Sequence, residues 1–178
     1  MGLEKLKGPL LKTARKIILE EGDIYPMVFY TLKQEIVGMA PLAVEFGPLE
    51  PPGRFKTRVA MRLLGFATRI KGIEYTKDFD AILLLSTAWS ASAKTEEEKR
   101  ELKRWVSEGK LLSDYPGKFE TLILSYSEGL GKNSAEAIPF FRTPDGPVFE
   151  APLGKPDRME SPVLDNFWRG YNLELTGL

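Results

Sequence analysis

The stretch from Asp80 to Ser92 constrains the fold more than any other part of the chain. It reads Asp-Ala-Ile-Leu-Leu-Leu-Ser-Thr-Ala-Trp-Ser-Ala-Ser. Its apolar run, Ala81 to Leu85, is too short for a buried helix and follows a charged segment. In extended chain, side chains alternate between faces. Ala81, Leu83, Leu85, Thr87 and Trp89 then share one face, and Ile82, Leu84, Ser86, Ala88 and Ser90 the other. Both faces begin apolar, the pattern of a strand covered on both sides, and both become polar toward the end. The segment is therefore read as the central strand of a sheet, its C-terminal end emerging at the surface. The competing reading is a helix starting near Ser86, because Ala88, Ala91 and Ala93 are strong helix formers.

The flanking sequence supplies neighbours for this strand. Pro9 to about Glu21 has a helical apolar stripe of Leu10, Ala14, Ile17 and Ile18, with Pro9 suited to a first turn and Gly22 to a stop. Met27 to Leu32 and Glu35 to Leu42 read as a hairpin around Lys33-Gln34, although this pair lacks the favoured glycine. Gly38 and Pro41 point to a bulge or an edge position. From Arg54 to Lys71 a second helix is expected, its core face formed by Phe55, Val59, Leu63, Phe66, Ala67 and Ile70. Thr95 and Glu98 form a capping box for a third helix ending near Gly109. Strands follow at Glu120 to Ser127, Ala135 to Arg142 and, after the turn signature Thr143-Pro144-Asp145-Gly146, Val148 to Ala151. From Pro152 onward the chain reads as irregular, with Phe167, Trp168 and Tyr171 anchoring a tail. These elements predict a single α+β domain over residues 1–178. Its mostly antiparallel sheet has five to six strands in the order 2-1-3-4-5, flanked by three helices. The alternative is the profilin- or roadblock-like order 2-1-5-4-3. That order puts the fifth strand inside the sheet, where Pro139 cannot donate to a second neighbour.

Composition narrows the chemistry. The 178 residues contain no Cys and no His, and their 25 basic and 25 acidic side chains balance. Disulfides, thiolate nucleophiles, imidazole bases and imidazole or thiolate metal sites are excluded within this sequence. No cofactor is expected, and charge balance gives no global argument for nucleic acid. No apolar run approaches membrane-spanning length, so no membrane partner is expected. The charged N-terminus does not resemble a signal peptide, which points to the cytoplasm. One Gln and three Asn follow the thermophile tendency to shed thermolabile residues.

The early hairpin, the amphipathic helix and the strand running into Ser86-Thr87-Ala88-Trp89 resemble a loose set of uncharacterised bacterial and phage proteins. In those proteins a similar strand ends in a Ser-x-Ala-Trp-like motif. The resemblance covers about residues 25 to 127. It implies the same order of elements and no chemistry; a regulatory protein of a phage or mobile element is a third reading that rests on it alone.

Two groups of residues are candidates for binding. Arg54, Arg58 and Arg62 at four-residue spacing would align guanidinium groups suited to phosphate or carboxylate forks, which suggests a local anion or nucleic-acid contact; a solvated, ion-paired helix face is the commoner use of such a stripe. Ser86, Trp89 and Ser90 lie where the central strand emerges, a common position for clefts, with Trp as a stacking surface. A Trp that covers the end of the core is the plainer alternative. Asp78 and Asp80, with Glu74, are an alternative Mg²⁺ site. Gly129 to Ser134 lacks the spacing of a phosphate loop. The leading expectation is a non-catalytic binding or interaction module that self-associates or takes another protein. The alternative is a Mg²⁺-dependent nuclease or phosphoryl-transfer enzyme using the aspartates and arginines.

Overall fold

A computed structural model of the chain describes residues 4–42, 53–71, 78–153 and 162–173. The side chains of residues 4, 53–56 and 162 lie outside this description, as does the candidate ligand Glu74. The elements are α1 (Glu4–Glu21), β1 (Met27–Leu32), β2 (Glu35–Pro41), α2 (Gly53–Lys71), β3 (Ala81–Ala91), α3 (Glu96–Ser107), β4 (Lys118–Gly129), β5 (Lys132–Thr143), β6 (Gly146–Phe149) and α4 (Pro162–Tyr171). A short 3-10 turn, Leu112–Asp114, breaks the loop before β4.

One six-stranded sheet has the order β2-β1-β3-β4-β5-β6, and every neighbouring pair is antiparallel. β3 is central. It stays extended to Ala91, so no helix starts at Ser86. Ala81 to Leu85 are all buried, and their two faces feed two separate cores. Leu83 and Leu85 join Leu122, Leu124, Ile138 and Phe140 beneath Leu10, Leu11, Ala14 and Ile18 of α1. Ile82 and Leu84 join Val28, Tyr30 and Met61 beneath Leu164 and Phe167 of α4. Each fully buried Leu or Ile contributes roughly 1.5–3 kcal/mol by leaving water, so a strand supplying both cores dominates the fold.

The alternative order 2-1-5-4-3 is overturned, and Pro139 shows why β5 is tolerated where it lies. The Pro139 carbonyl accepts from the Glu150 N–H at 2.9 Å, on the β6 side. A strand residue's N–H and C=O point the same way. The missing N–H therefore falls just past the last β5–β6 pair, Phe140 with Phe149, and the ladder with β4 loses nothing. The β1–β2 turn is made without glycine: Lys33 and Gln34 both have positive φ, 50° and 67°. The edge strand β2 carries the expected bulge, where the register shifts between Tyr30 and Thr31. Within the segment Gly129–Asn133 only Leu130 and Gly131 form the turn, because Gly129 ends β4 and Lys132 starts β5.

Four corrections bear on the site. Helix α1 starts at Glu4, so Pro9 lies inside it and one first-turn hydrogen bond is forgone. The described residues form four α-helices rather than three, because the expected irregular tail contains α4. Val163, Leu164, Phe167, Trp168 and Tyr171 recur at helical spacing and face the core. The last strand pairs over Gly146–Phe149, not Val148 to Ala151. The fourth correction is the face of α2. Met61, Arg62, Gly65 and Thr68 are buried, whereas Leu63 is 57% and Ile70 62% exposed. The face expected to form the core looks outward. Gly65 explains this: a Cβ there would sit 2.9 Å from the Tyr171 nitrogen, so the small side of the helix, not the bulky one, meets α4.

Helix α3 has the predicted capping box, with the Thr95 hydroxyl accepting from the Glu98 N–H at 3.1 Å and Glu98 accepting from the Thr95 and Lys94 N–H groups. Those two backbone donors hold the Glu98 carboxyl below its ordinary range of about 4.5. A depressed carboxyl stabilises above its unfolded value and loses that stabilisation as pH falls through the folded one. Because no residue of α3 is buried, the loss is local. Acidification below about pH 4.5 should raise amide exchange across residues 96–100 before the sheet loosens, and Thr95→Ala should produce the same pattern at neutral pH. Equal acceleration throughout β3 would show that α3 is instead part of the cooperative core.

Candidate functional site

The predicted residues do not converge on one site. Arg54 lies on the first turn of α2, and its side chain is outside the described residues. Arg58 is exposed. Arg62 is 2% exposed and donates from Nη2 to Asn166 Oδ1 of α4 at 3.1 Å. The three therefore do not form a solvent-facing stripe: Arg62 ties two helices together. Around β3 the alternation divides the rest. Trp89 lies on the α1 side, 42% exposed, with Lys118 Nζ 5.1 Å from its ring centroid. It does not seal the core. Nearby, Thr87 donates to Asp23 at 2.7 Å, and Arg142 Nε donates to Glu120 at 2.6 Å. Burial is slight and the charges already paired, so this surface holds little unspent interaction energy.

Asp80 has a structural task. Its Oδ2 accepts from the Lys33 N–H at 2.7 Å and its Oδ1 from the Thr31 hydroxyl at 3.3 Å. It thereby holds the strained β1–β2 turn, whose residues are not glycine. Asp80→Ala should cost about 1–2 kcal/mol in urea unfolding, with Asp80→Asn costing less; an unchanged midpoint would exclude this role. Asp78 is exposed. Among the described residues no group of three His, Cys, Asp or Glu side chains could hold a metal ion. Lys94, a conceivable base for a serine, lies beyond β3, and its N–H donates to Glu98 at 2.6 Å. No described helix is long and apolar enough to cross a membrane.

Two surfaces stand out instead. The first is the outer face of α2. Val59, Leu63, Phe66 and Ile70 follow one another at four-, three- and four-residue steps, the spacing of a helix-pairing seam. Val59 and Phe66 are half-buried, while Leu63 and Ile70 are more than half exposed. The helix carries six basic residues and no acidic one. Arg58 and Lys71 are exposed and flank the seam on opposite sides by their angular positions, while Arg69 turns toward α4, its guanidinium 5.4 Å from the Tyr171 ring centroid. The sequence contained this seam but gave no sign of which way it faced; Gly65 and Gly170, which let two helices meet closely, were the unused signal.

The second is a cleft of about 230 Å³ on the α2–α4 side of the sheet, where β3 and β4 emerge. Leu42, Leu84, Ile123 and Val163 form apolar walls, and Ser86 and Ser125 contribute hydroxyls. Ser125 is 2% exposed. Four residues before it on the same face, the buried Thr121 Oγ1 has no hydrogen-bond partner. Ser86 was read from the sequence as a site residue. Ser90 shares its face but does not line the cleft. Ser125 was missed because β4 looked like an ordinary inner strand. No protein-family model, no curated protein and no solved structure matches the chain.

Proposed function

We propose that this chain is a non-catalytic interaction module that presents the outer face of α2 to an acidic amphipathic helix of a partner protein. The observation that carries this reading is the exposure of Leu63 and Ile70 within a regularly spaced apolar seam on a helix with no acidic residue. Exposed apolar residues are unremarkable singly, but a seam at helix-pairing spacing matches the helix-in-groove mode of recognition. The basic border selects the partner's charge and penalises a second, equally basic copy of α2.

A synthetic helix with leucine at seam positions and glutamate beside them provides the test, with its lysine counterpart as control. Fluorescence anisotropy should show binding of the acidic helix alone, weakening as salt rises. Leu63→Glu with Ile70→Glu should reduce binding by at least about tenfold while leaving the thermal midpoint nearly unchanged, because both side chains are already exposed. Equal binding of the two helices, or no effect of the double substitution, would discard the reading.

Self-association has a separate support in α3. Leu102, Val106 and Ala93 border an apolar groove outside both cores. The helix runs from Glu96-Glu97-Glu98 to Lys103-Arg104, an arrangement that complements itself when two copies lie antiparallel. Light scattering on the Leu63→Glu, Ile70→Glu protein separates the readings: a dimer that persists there assigns self-association to α3 rather than α2.

A further inference from the structure

We infer that the cleft beside β3 and β4 is a binding site for a small neutral amphiphile, an alcohol or amide with an apolar body. This is independent of the α2 seam, which lies on the opposite side of its helix. The size argument is direct. A dry apolar cavity of roughly 150 Å³ accepts benzene, so about 230 Å³ suits a molecule of about nine heavy atoms. The walls of Leu42, Leu84, Ile123 and Val163 provide the apolar contact.

The polar end is fixed by two observations. Ser125 lines the cleft and is only 2% exposed, so a hydrogen bond from its hydroxyl to a bound group is sheltered from bulk water. Ser86 stands beside it on the neighbouring strand: Leu84 pairs with Ser125, and Ser86 with Ile123. Two hydroxyls, each able to donate and accept, match an alcohol or an amide. No lining residue carries a charge. A carboxylate entering here would be desolvated without a counter-ion, which excludes an acid more strongly than it favours any particular alcohol.

Three probes of similar size separate the terms: 1-heptanol, heptanoate and toluene, titrated against the whole chain and followed by amide and methyl resonances. Heptanol should shift Ser86, Ala88, Ile123 and Ser125 at a concentration at least about tenfold below that needed for heptanoate. Ser125→Ala should weaken heptanol roughly fivefold and leave toluene within about twofold. Ala88→Leu, which fills the cleft from its floor, should abolish both while preserving the dispersion of the β1 and β5 resonances. Tighter binding of heptanoate would overturn neutrality. An unchanged heptanol affinity in Ser125→Ala would overturn the hydroxyl anchor. If none of the three probes moves the cleft resonances, the site itself is refuted, and binding of the acidic helix to α2 is unaffected by that outcome.

Discussion

Replacing Gly170 by alanine should destabilise the protein by at least about 3 kcal/mol, although the same change in most helices stabilises. A mid-helix Gly→Ala normally gains roughly 0.5–1 kcal/mol from reduced backbone entropy in the unfolded chain. At Gly170 the added methyl would lie 2.8 Å from the Arg62 carbonyl carbon and 3.1 Å from its Cα, with the carbonyl oxygen closer still. These are backbone atoms of α2, and they cannot rotate aside. Gly65 presents the reciprocal contact, 2.9 Å from both the Phe167 carbonyl carbon and the Tyr171 nitrogen. The two helices therefore touch backbone to backbone at two glycines, and an added methyl must push α4 outward. Overpacking in a rigid core costs about 1–3 kcal/mol and more where nothing can yield. Gly8→Ala in α1 is the control, because a Cβ there meets nothing within 4 Å; it should be neutral or stabilise by up to about 1 kcal/mol. Urea midpoints that move the same way for Gly8 and Gly170 would refute the close approach.

That contact also explains what could and could not be read in advance. The alternation from Ala81 to Trp89 placed β3 and its two faces, since period two leaves no ambiguity once both faces are apolar. The bulge at β2 and the strand order followed from Gly38, Pro41 and Pro139, residues whose backbone restrictions act locally. Helix α2 resisted because Met61, Leu64, Gly65 and Thr68 are less hydrophobic than Val59, Leu63, Phe66 and Ile70. Amphipathicity ranks faces by greasiness, whereas helix–helix packing selects the face that permits close approach. Helix α4 was missed for a related reason: Asn166 and Gly170 lower its propensity, and tertiary contact restores what local preference lacks. The site followed the same division. Ser86 was legible because it lies on β3. Arg62 was misread as exposed because a buried guanidinium hydrogen-bonded to Asn166 leaves no local trace. Ser125 acquires meaning only when the cleft has been assembled from four elements.

Phe167→Ala should be as damaging as any single truncation in the described structure, about 3–5 kcal/mol. Phe167 is fully buried, with ring centroids of Tyr30, Phe79, Trp168 and Tyr171 at 6.0, 6.1, 5.4 and 6.2 Å. Those rings connect β1, the approach to β3, and α4, so their common neighbour joins three parts of the fold. The loss combines transfer of a large ring with a cavity that the surrounding aromatics cannot close. Tyr30→Phe is the graded comparison. Thr68 donates its hydroxyl hydrogen to the Leu64 carbonyl at 2.8 Å, so Tyr30 is the donor in the 2.9 Å contact between Tyr30 and Thr68. Removing that donor leaves no buried hydrogen unsatisfied and should cost only about 1 kcal/mol. The functional consequence differs between the two proposed surfaces. Val163 on α4 walls the cleft, so loosening α4 through Phe167→Ala should weaken heptanol binding in the population that remains folded. The seam on α2 faces away from α4, and its affinity for an acidic helix should fall only by the unfolded fraction. Parallel loss of both would mean that α2 keeps its orientation only while α4 is docked, making the Gly65–Gly170 crossing the element on which both surfaces depend.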